Sequence, residues 1–198
     1  MSVKITRRWM DTGDDTLGEI AMTLAQGGVV LLPTDTIYGL HALAGDAEAV
    51  ARVAEIKGRD RQKPFVVLAA TAEQIRDLGA IVPAVLWKIW PAPVTAVLQK
   101  RNGTIAARIP ALPWLLALLK RTGPLVSTSA NPSGEQPITH PVQLGSAFLS
   151  RLDGVLDQGV AAGEPSVIVD FTESSPRVIR EGEPVFTQKL RKTLRKSL

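Results

Sequence analysis

The sequence predicts an α/β fold. Patterns typical of helices alternate with short apolar runs typical of buried strands along most of the 198 residues. Hydrophobic residues make up 45% of the chain, which is enough for one sizeable core at this length. No internal repeat is present. We therefore expect one domain over residues 1–184, followed by a tail over 185–198.

Helices and strands alternate clearly in the first half of the chain. A helix over 16–26 ends at two glycines, and the buried strand 29–32 follows it. Asp46 is a suitable N-cap for a second helix that runs to Lys57. The later elements of this half are a strand at 65–68, a helix opened by Thr71 with Gln74 as a capping box, and a short helix beginning at Pro83.

The second half begins with a hairpin signal. Two strand-like runs, 94–98 and 105–109, flank the turn Asn102-Gly103. The remaining predicted elements are a helix at 114–120, a strand at 125–126, a helix near 142–152, strands at 167–169 and 177–179, and a helical tail.

Composition excludes several classes of site. The chain has no cysteine, which rules out disulfides, thiolate nucleophiles and zinc–thiolate centres, and only two histidines. No apolar run reaches the length of a membrane span, and the N-terminal sequence lacks the apolar core of a signal peptide. We expect a cytoplasmic protein without a membrane partner.

The positive charge of the chain is concentrated in its tail. Residues 189–198 hold five cations and no acid, so the other 188 residues have a net charge of −1 against +4 for the whole chain. Basicity therefore indicates a nucleic-acid partner for the tail and says little about the body of the protein.

Polar clusters follow the predicted strands, where open α/β sheets usually bind ligands. These clusters are Thr34-Asp35-Thr36, the loop 57–63, the segment 127–131, and Ser166 just before its strand. We expect them to converge on one site.

The loop 57–63 holds four cations and one acid. Guanidinium and ammonium groups at this density suit a polyphosphate, although a solvated surface loop has the same composition. The segment 127–134 offers hydroxyls and an amide for neutral hydrogen bonds, but it could equally be a turn held by local bonds. Neither of the glycine-rich nucleotide motifs G-x-x-x-x-G-K-[ST] and G-x-G-x-x-G is present.

Seven segments, taken in order, resemble the YrdC/TsaC family. They are 33–40 (PTDTIYGL), 57–59 with 63–64 (KGR, KP), 90–95 (WPAPVT), 107–110 (ARIP), 127–131 with 133–134 (STSAN, SG), 165–170 (PSVIVD) and 179–182 (IREG). The match spans roughly residues 30–182. It implies an open, twisted, mixed sheet flanked by helices, with a concave cationic groove for ligands.

The resemblance also implies an activity. Members of this family condense L-threonine, bicarbonate or CO2, and ATP into threonylcarbamoyl-AMP and pyrophosphate. Mg²⁺ accompanies the ATP phosphates, so no protein metal ligand is assigned. The product then serves tRNA modification, with tRNA reached directly or through other tRNA-modification proteins. Two alternatives are an RNA-binding module for tRNA or double-stranded RNA and a paralogue with a regulatory role.

The same resemblance implies roles for individual residues. The central catalytic residues would be Lys57, Arg59, Ser129 and Asn131. The threonine contacts would be Thr36, Arg108, Ser129 and Ser166. The ATP contacts would be Arg59, Arg61, Asn131, Thr139 and Arg180.

Overall fold

The computed structural model describes residues 6–58, 60, 64–131, 134–161 and 163–195. Within these ranges the helices are α1 (Asp14–Ala25), α2 (Ala47–Lys57), α3 (Ala72–Asp77), α4 (Leu86–Ile89), α5 (Pro113–Thr122), α6 (Ser146–Leu149) and α7 (Pro184–Arg195). The strands are β1 (Arg7–Trp9), β2 (Val30–Pro33), β3 (Tyr38–Leu43), β4 (Val66–Leu68), β5 (Val94–Lys100), β6 (Gly103–Arg108), β7 (Leu125–Ser129), β8 (Gly154–Leu156), β9 (Val167–Asp170) and β10 (Arg177–Arg180).

These strands form one mixed sheet in the order β1-β8-β2-β3-β7-β4-β6-β5-β9-β10. Strands β2, β3, β7 and β4 pair antiparallel in succession, and parallel pairs join β4 to β6 and β5 to β9. The predicted hairpin is confirmed as β5 and β6. The predicted α/β fold with an open mixed sheet is therefore confirmed.

Helices cover both faces of the sheet. On one face, α1 and α5 pack their leucines against β2 and β7. On the other face, α2 packs against β3 and β7, while α3, α4 and α7 cover β5, β6 and β9. Because α1 and α5 cover only part of the first face, the surface of the sheet beyond them is available for a ligand.

The local signals position α2 as predicted. The Asp46 carboxylate accepts hydrogen bonds from the backbone N–H groups of Glu48 and Ala49, both at 3.0 Å, so it caps the helix. The buried apolar side chains of α2 include Ala49 and Val53, and the last residue of the helix is Lys57. The cap fixes the start of α2, and Lys57 reaches the neighbouring strand from the opposite, C-terminal end of the helix.

Three strands were not predicted. The sequence predicts no strand over Tyr38–Leu43, which is the strand β3 and pairs with β2 and β7. Its glycine and histidine interrupt the apolar pattern that marks a buried strand. The strands β1 and β8 have three residues each, and β8 lies between β1 and β2 and pairs in parallel with both. Strands this short carry too few residues for a recognisable apolar pattern.

The predicted helix near 142–152 is wrong. The structure has a 3₁₀ turn at Pro141–Gln143 and the one-turn helix α6, separated by Leu144 and Gly145. Extended backbone at these two residues interrupts a continuous helix, because neither takes helical backbone angles.

The predicted helix in the tail is confirmed as α7. Its Leu190 and Leu194 are 4% and 5% exposed and belong to the core cluster that includes Val167 and Val169 of β9. The part of the tail that the structure describes therefore packs on the body of the protein. The division at residue 184 stays a prediction.

Candidate active site

A cleft of about 300 Å³ opens on the sheet face that α1 and α5 leave uncovered. Residues from β3 to β7, β9 and β10 line it, together with the loops that precede or follow them. Its polar lining residues are Thr34, Thr36, Tyr38, Thr95, Arg108, Ser127, Thr128, Ser129, Ser166 and Arg180. The polar clusters of the sequence therefore converge as predicted, with the exceptions given below.

Arg108 and the turn after β2 form one hydrogen-bonded group. Arg108 is 4% exposed, and its Nη1 donates to Thr36 Oγ1 at 3.0 Å. Thr36 Oγ1 lies 2.8 Å from Thr34 Oγ1, which also donates to the carbonyl of Ile37 at 2.9 Å. The Asp35 carboxylate lies 3.5 Å from Arg108 Nη2. The turn thus fixes the guanidinium at the wall of the cleft.

The guanidinium of Arg108 keeps unused donor capacity. Burial lowers its pKa, the Asp35 carboxylate acts in the opposite direction, and the positive charge of Arg180 lowers it further. The neighbouring Asp35 carboxylate favours the charged form of the guanidinium. Among the described residues, Arg108 Nε has no hydrogen-bond partner although it is buried. A buried cation with a spare donor is suited to an anionic ligand.

Ser166 is held by a second group on the opposite side of the cleft. Its hydroxyl lies 2.8 Å from Thr95 Oγ1, and Arg180 Nη2 donates to both the hydroxyl, at 3.1 Å, and the carbonyl, at 2.8 Å. Thr95 is 1% exposed, so it cannot exchange this partner for water. Burial lowers the pKa of Arg180. Ser166 is consequently oriented by a neutral group and a charged group together.

Lys57 joins the end of α2 to the end of β7. It is 5% exposed, and its Nζ donates to the carbonyl and hydroxyl of Ser129 at 2.8 and 3.1 Å. The same Nζ lies 2.9 Å from the carbonyl and 2.7 Å from the side-chain Oδ1 of Asn131. Ser129 lines the cleft, whereas Lys57 is behind it. Lys57 therefore fixes the positions of the two residues predicted to act beside it.

His41 lies beneath the floor of the cleft. It is fully buried on β3, opposite Ser127 of β7, and two residues from Gly39, which lines the cleft. A Cβ at Gly39 would lie 2.8 Å from His41 Nε2, so only glycine leaves the imidazole in place. Burial, reinforced by the charge of Arg108, lowers the pKa of His41 to about 3. The imidazole is therefore neutral near pH 7.

The structure brings together most of the predicted site residues that it describes. Thr36, Arg108, Ser129, Ser166 and Arg180 line the cleft, and Lys57 and Asn131 adjoin it through Ser129. Thr139 is not among the lining residues; its backbone N–H and hydroxyl contact the amide of Gln143. Arg59 and Arg61 lie outside the described residues, so the cationic character of the groove stays a prediction.

Two hydroxyls with clear roles were not predicted as site residues. Thr34 orients Thr36, and Thr95 orients Ser166. Both stand in the motifs quoted above, but their roles depend on contacts between side chains that no spacing rule specifies. In the part of the chain that the structure describes, no cluster of three histidine or acidic side chains could hold a metal ion. Nor does any helix in those ranges have the length and apolarity to cross a bilayer.

The arrangement suits a ligand that has both an anionic group and a hydroxyl group. Two arginines supply charge, and threonine and serine hydroxyls supply neutral hydrogen bonds. The described lining residues include no cysteine, histidine or carboxylate.

Comparison with known proteins identifies relatives of this chain. The profile of the Sua5/YciO/YrdC family, described as telomere recombination, matches residues 22–182. A threonylcarbamoyl-AMP synthase of Marinobacter nauticus is 32% identical over 81% of this chain and 95% of its own length. One from Bacillus subtilis is 29% identical over 89% of this chain and 58% of its own length.

Solved structures give the same result. The crystal structure of P. abyssi Sua5 complexed with L-threonine has a TM-score of 0.82 and 28% identity, covering 96% of this chain and 60% of that one. E. coli YciO shares the fold, with a TM-score of 0.78 at 22% identity, over 92% of this chain and 97% of its own. This chain thus spans about three fifths of some relatives and nearly all of others. The profile match covers most of its length, and the chain belongs to the Sua5/YciO/YrdC family.

Proposed function

We propose that this protein is an L-threonylcarbamoyladenylate synthase, which condenses L-threonine, bicarbonate or CO2, and ATP into threonylcarbamoyl-AMP and pyrophosphate. The observation that carries the proposal is the convergence of Thr36, Arg108, Ser129 and Ser166 in one cleft. Relatives named threonylcarbamoyl-AMP synthase support it, as does the L-threonine complex of P. abyssi Sua5.

Threonine fits the side of the cleft that holds Arg108. The guanidinium, with its spare Nε–H, binds the α-carboxylate of threonine. The hydroxyls of Thr36 and Ser166 are both fixed by neighbouring groups and contact the amino acid with neutral hydrogen bonds. Ser129 lies between this side and the nucleotide side.

The nucleotide binds toward Ser129, Asn131 and Arg180. Lys57 fixes the carbonyl and amide oxygens of Asn131, which orients this residue toward ATP. Arg180 lines the cleft and contributes positive charge. Arg59, Arg61 and Thr139 complete the ATP contacts in this proposal, as the family motif implies.

The chemistry follows from two anions that meet in one pocket. A carbamate forms when the neutral amine of threonine attacks CO2, and the proton released from the nitrogen passes to solvent. One carbamate oxygen then attacks the α-phosphorus of ATP, the bond to the β-phosphate oxygen breaks, and pyrophosphate leaves with its electron pair. The nucleophile is already ionised, so the attack needs no general base. Fixed cations instead offset the repulsion and stabilise the leaving group.

Mg²⁺ enters as part of the ATP substrate. This ion usually binds through phosphate oxygens and waters with few protein ligands. Bound to the phosphates, it would neutralise charge on pyrophosphate, while Arg180 acts from the protein side.

The proposed place of the enzyme is the cytoplasm, where its product feeds tRNA modification. Threonylcarbamoyl-AMP is a mixed anhydride, and its next step is transfer of the threonylcarbamoyl group to an acceptor on tRNA. Other tRNA-modification proteins perform this transfer.

Pyrophosphate release tests the proposal. Purified protein is mixed with Mg·ATP, and threonine and bicarbonate are added separately and together. We expect release only when all substrates are present, with serine in place of threonine as the matched control. Release that ignores threonine would contradict the substrate assignment, and the absence of release together with tight RNA binding would favour the RNA-binding alternative.

A further inference from the structure

Tyr38, the only tyrosine of the chain, carries a hydroxyl that the proposed chemistry does not use. Its side chain is fully buried and belongs to the core cluster that α2 covers. The hydroxyl donates to the carbonyl of Gly159 at 2.8 Å and accepts from the N–H of Gln158 at 3.0 Å. Burial raises the pKa of Tyr38, so the phenol stays neutral and keeps both hydrogen bonds near pH 7. One hydroxyl therefore holds the backbone of two successive residues from a distant part of the chain.

The segment held in this way, 157–163, follows β8, and the structure describes it except at residue 162. The N–H of Ala161 donates to the carbonyl of Thr139 at 2.8 Å. The N–H of Gly163 donates to the carbonyl of Thr36 at 3.0 Å. Thr36 lines the cleft and is proposed to contact threonine, whereas Thr139 is proposed to contact ATP. The segment therefore joins the backbone of one proposed contact of each substrate.

The contacts of this segment follow one another along the chain. The N–H of Asp157 donates to the carbonyl of Trp9 on β1 at 2.9 Å, which fixes the start of the segment at the edge of the sheet. The Tyr38 hydroxyl holds the next two residues, and the bonds on the substrate side come two and four residues after Gly159. Without the hydroxyl, a buried N–H and a buried carbonyl lose their partner and the backbone between these bonds is free to shift.

We propose that Tyr38 is a positioning residue for both substrates. Its hydroxyl sets the path of the segment 157–163, and the segment holds Thr36 on the threonine side and Thr139 on the nucleotide side. The proposal rests on the proposed function, because that function assigns these two residues to the substrates. A hydroxyl with a purely structural role would lower the stability when removed and would leave both substrate constants unchanged.

The variant Tyr38→Phe keeps the ring in the core and removes the hydroxyl. Pyrophosphate release is measured with threonine and ATP varied in turn. We expect both KM values to rise about fivefold, the change that corresponds to loss of one hydrogen bond, with kcat within about twofold of the wild-type value. Thr95→Val is the comparison, because Thr95 holds Ser166 and should affect the KM for threonine alone. Unchanged KM values in Tyr38→Phe, or a rise for one substrate only, would overturn the proposal.

The variant Gly163→Ala tests the segment with Tyr38 in place. Gly163 has a φ of 93°, which alanine adopts only with strain, and a Cβ there would lie 3.7 Å from Thr139 Cγ2 without a clash. We expect the KM for threonine to rise about fivefold. Gly103→Ala is the matched control, since Gly103 has a φ of 97° and open space around its Cβ at the hairpin turn.

The double variant Tyr38→Phe/Gly163→Ala shows whether the two residues act through one segment. If they do, its rise in the KM for threonine is smaller than the product of the two single rises, because neighbouring changes in one network are not additive. Gly103→Ala should leave both KM values unchanged. A double variant whose effect equals the product would show that Tyr38 does not act through the segment and would overturn the proposal.

Hydrogen exchange of single amides, measured by NMR on the protein without ligands, separates this proposal from the proposed function. In Tyr38→Phe the amides of Ala161 and Gly163 should exchange about fivefold faster relative to the amides of β5, which report global unfolding. Faster exchange, together with a wild-type protein that releases no pyrophosphate with threonine, would contradict the proposed function alone. Normal exchange and normal KM values in Tyr38→Phe, with full release by the wild-type protein, would contradict the role of Tyr38 alone.

Discussion

Arg108 and Lys57 are both buried cations beside the cleft, but their surroundings differ. Arg108 lines the cleft, has Asp35 and Thr36 as partners, and keeps a buried Nε–H without a partner among the described residues. Lys57 lies behind the cleft, with four oxygens of Ser129 and Asn131 within 3.1 Å of its Nζ. We therefore propose that Arg108 contacts the ligand directly and that Lys57 acts by fixing Ser129 and Asn131.

Loss of Lys57 should have the largest effect. In Lys57→Met the apolar stem remains but the oxygens of Ser129 and Asn131 lose the buried ammonium as a donor, so we expect the free energy of unfolding to fall by about 3 kcal/mol. Displacement of Ser129 and Asn131 should lower kcat by about 100- to 1000-fold. Urea unfolding and pyrophosphate release measure the two effects. Lys88→Met, at an exposed position, is the control. A Lys57 variant with normal kcat would contradict the role given to Lys57 in this comparison.

Replacement of Arg108 should weaken the binding of threonine and leave the binding of ATP unchanged. Arg108→Lys keeps the charge but removes the forked guanidinium with its Nε–H. Loss of a charged hydrogen bond costs about 2–3 kcal/mol, which corresponds to a rise in the KM for threonine of about 30- to 150-fold. Because Arg108 is assigned to threonine and not to ATP, the KM for ATP should stay within about twofold of the wild-type value. Steady-state kinetics with each substrate varied in turn checks this. A parallel rise in both KM values would contradict the assignment of Arg108 to threonine.

His41 is a third basic group on this face, and it should set the stability at low pH. Its folded pKa of about 3 lies below the ordinary value of 6.5, so the unfolded chain binds the additional proton. Stability is therefore fully present above pH 6.5 and falls by about 1.4 kcal/mol per pH unit below it. Between pH 7 and 5 the wild-type protein should lose about 2 kcal/mol more than His41→Gln. Urea unfolding at both pH values measures this, and identical losses in the two proteins would show that His41 does not lower the stability at low pH.

Thr95 should have the smallest effect. Thr95→Val keeps the shape of the side chain but removes the hydroxyl that orients Ser166. Loss of this hydrogen bond should weaken threonine binding by about 1 kcal/mol, which is about a fivefold rise in the KM for threonine. Thr95→Ser restores the hydroxyl and should restore the KM, whereas a packing defect alone would not be rescued in this way. Equal KM values in the two variants would show that the bond between Thr95 and Ser166 does not matter for binding.

Local signals predicted the elements that carry the site. The N-cap Asp46 and the apolar face of its helix defined α2, whose end holds Lys57. The Asn102-Gly103 turn defined the hairpin that ends at Arg108. These features depend on residues close in sequence, so a single sequence is sufficient to recognise them.

Contacts between distant segments could not be predicted. Arg108 and Thr36 are 72 residues apart, as are Lys57 and Ser129, and no spacing rule joins them. The short strands β1 and β8 exist because of partners more than 100 residues away, and they carry too few residues for an apolar pattern. The tail is a further example. Its charge is evident from the sequence, but the close packing of Gly182 on the segment around Ser166 is not.

Thermal unfolding with ligands tests the central claim, that the Arg108 side of the cleft binds threonine. Threonine at about 100 times its Kd should stabilise the wild-type protein by about 2.7 kcal/mol, which raises the Tm by roughly 5–10 °C for a chain of this size. Arg108→Lys at the same threonine concentration should gain only about 0.3–0.9 kcal/mol, a Tm shift of roughly 1–3 °C, and should keep the full shift with Mg·ATP. A wild-type protein whose Tm does not respond to threonine, with or without ATP, would contradict the account.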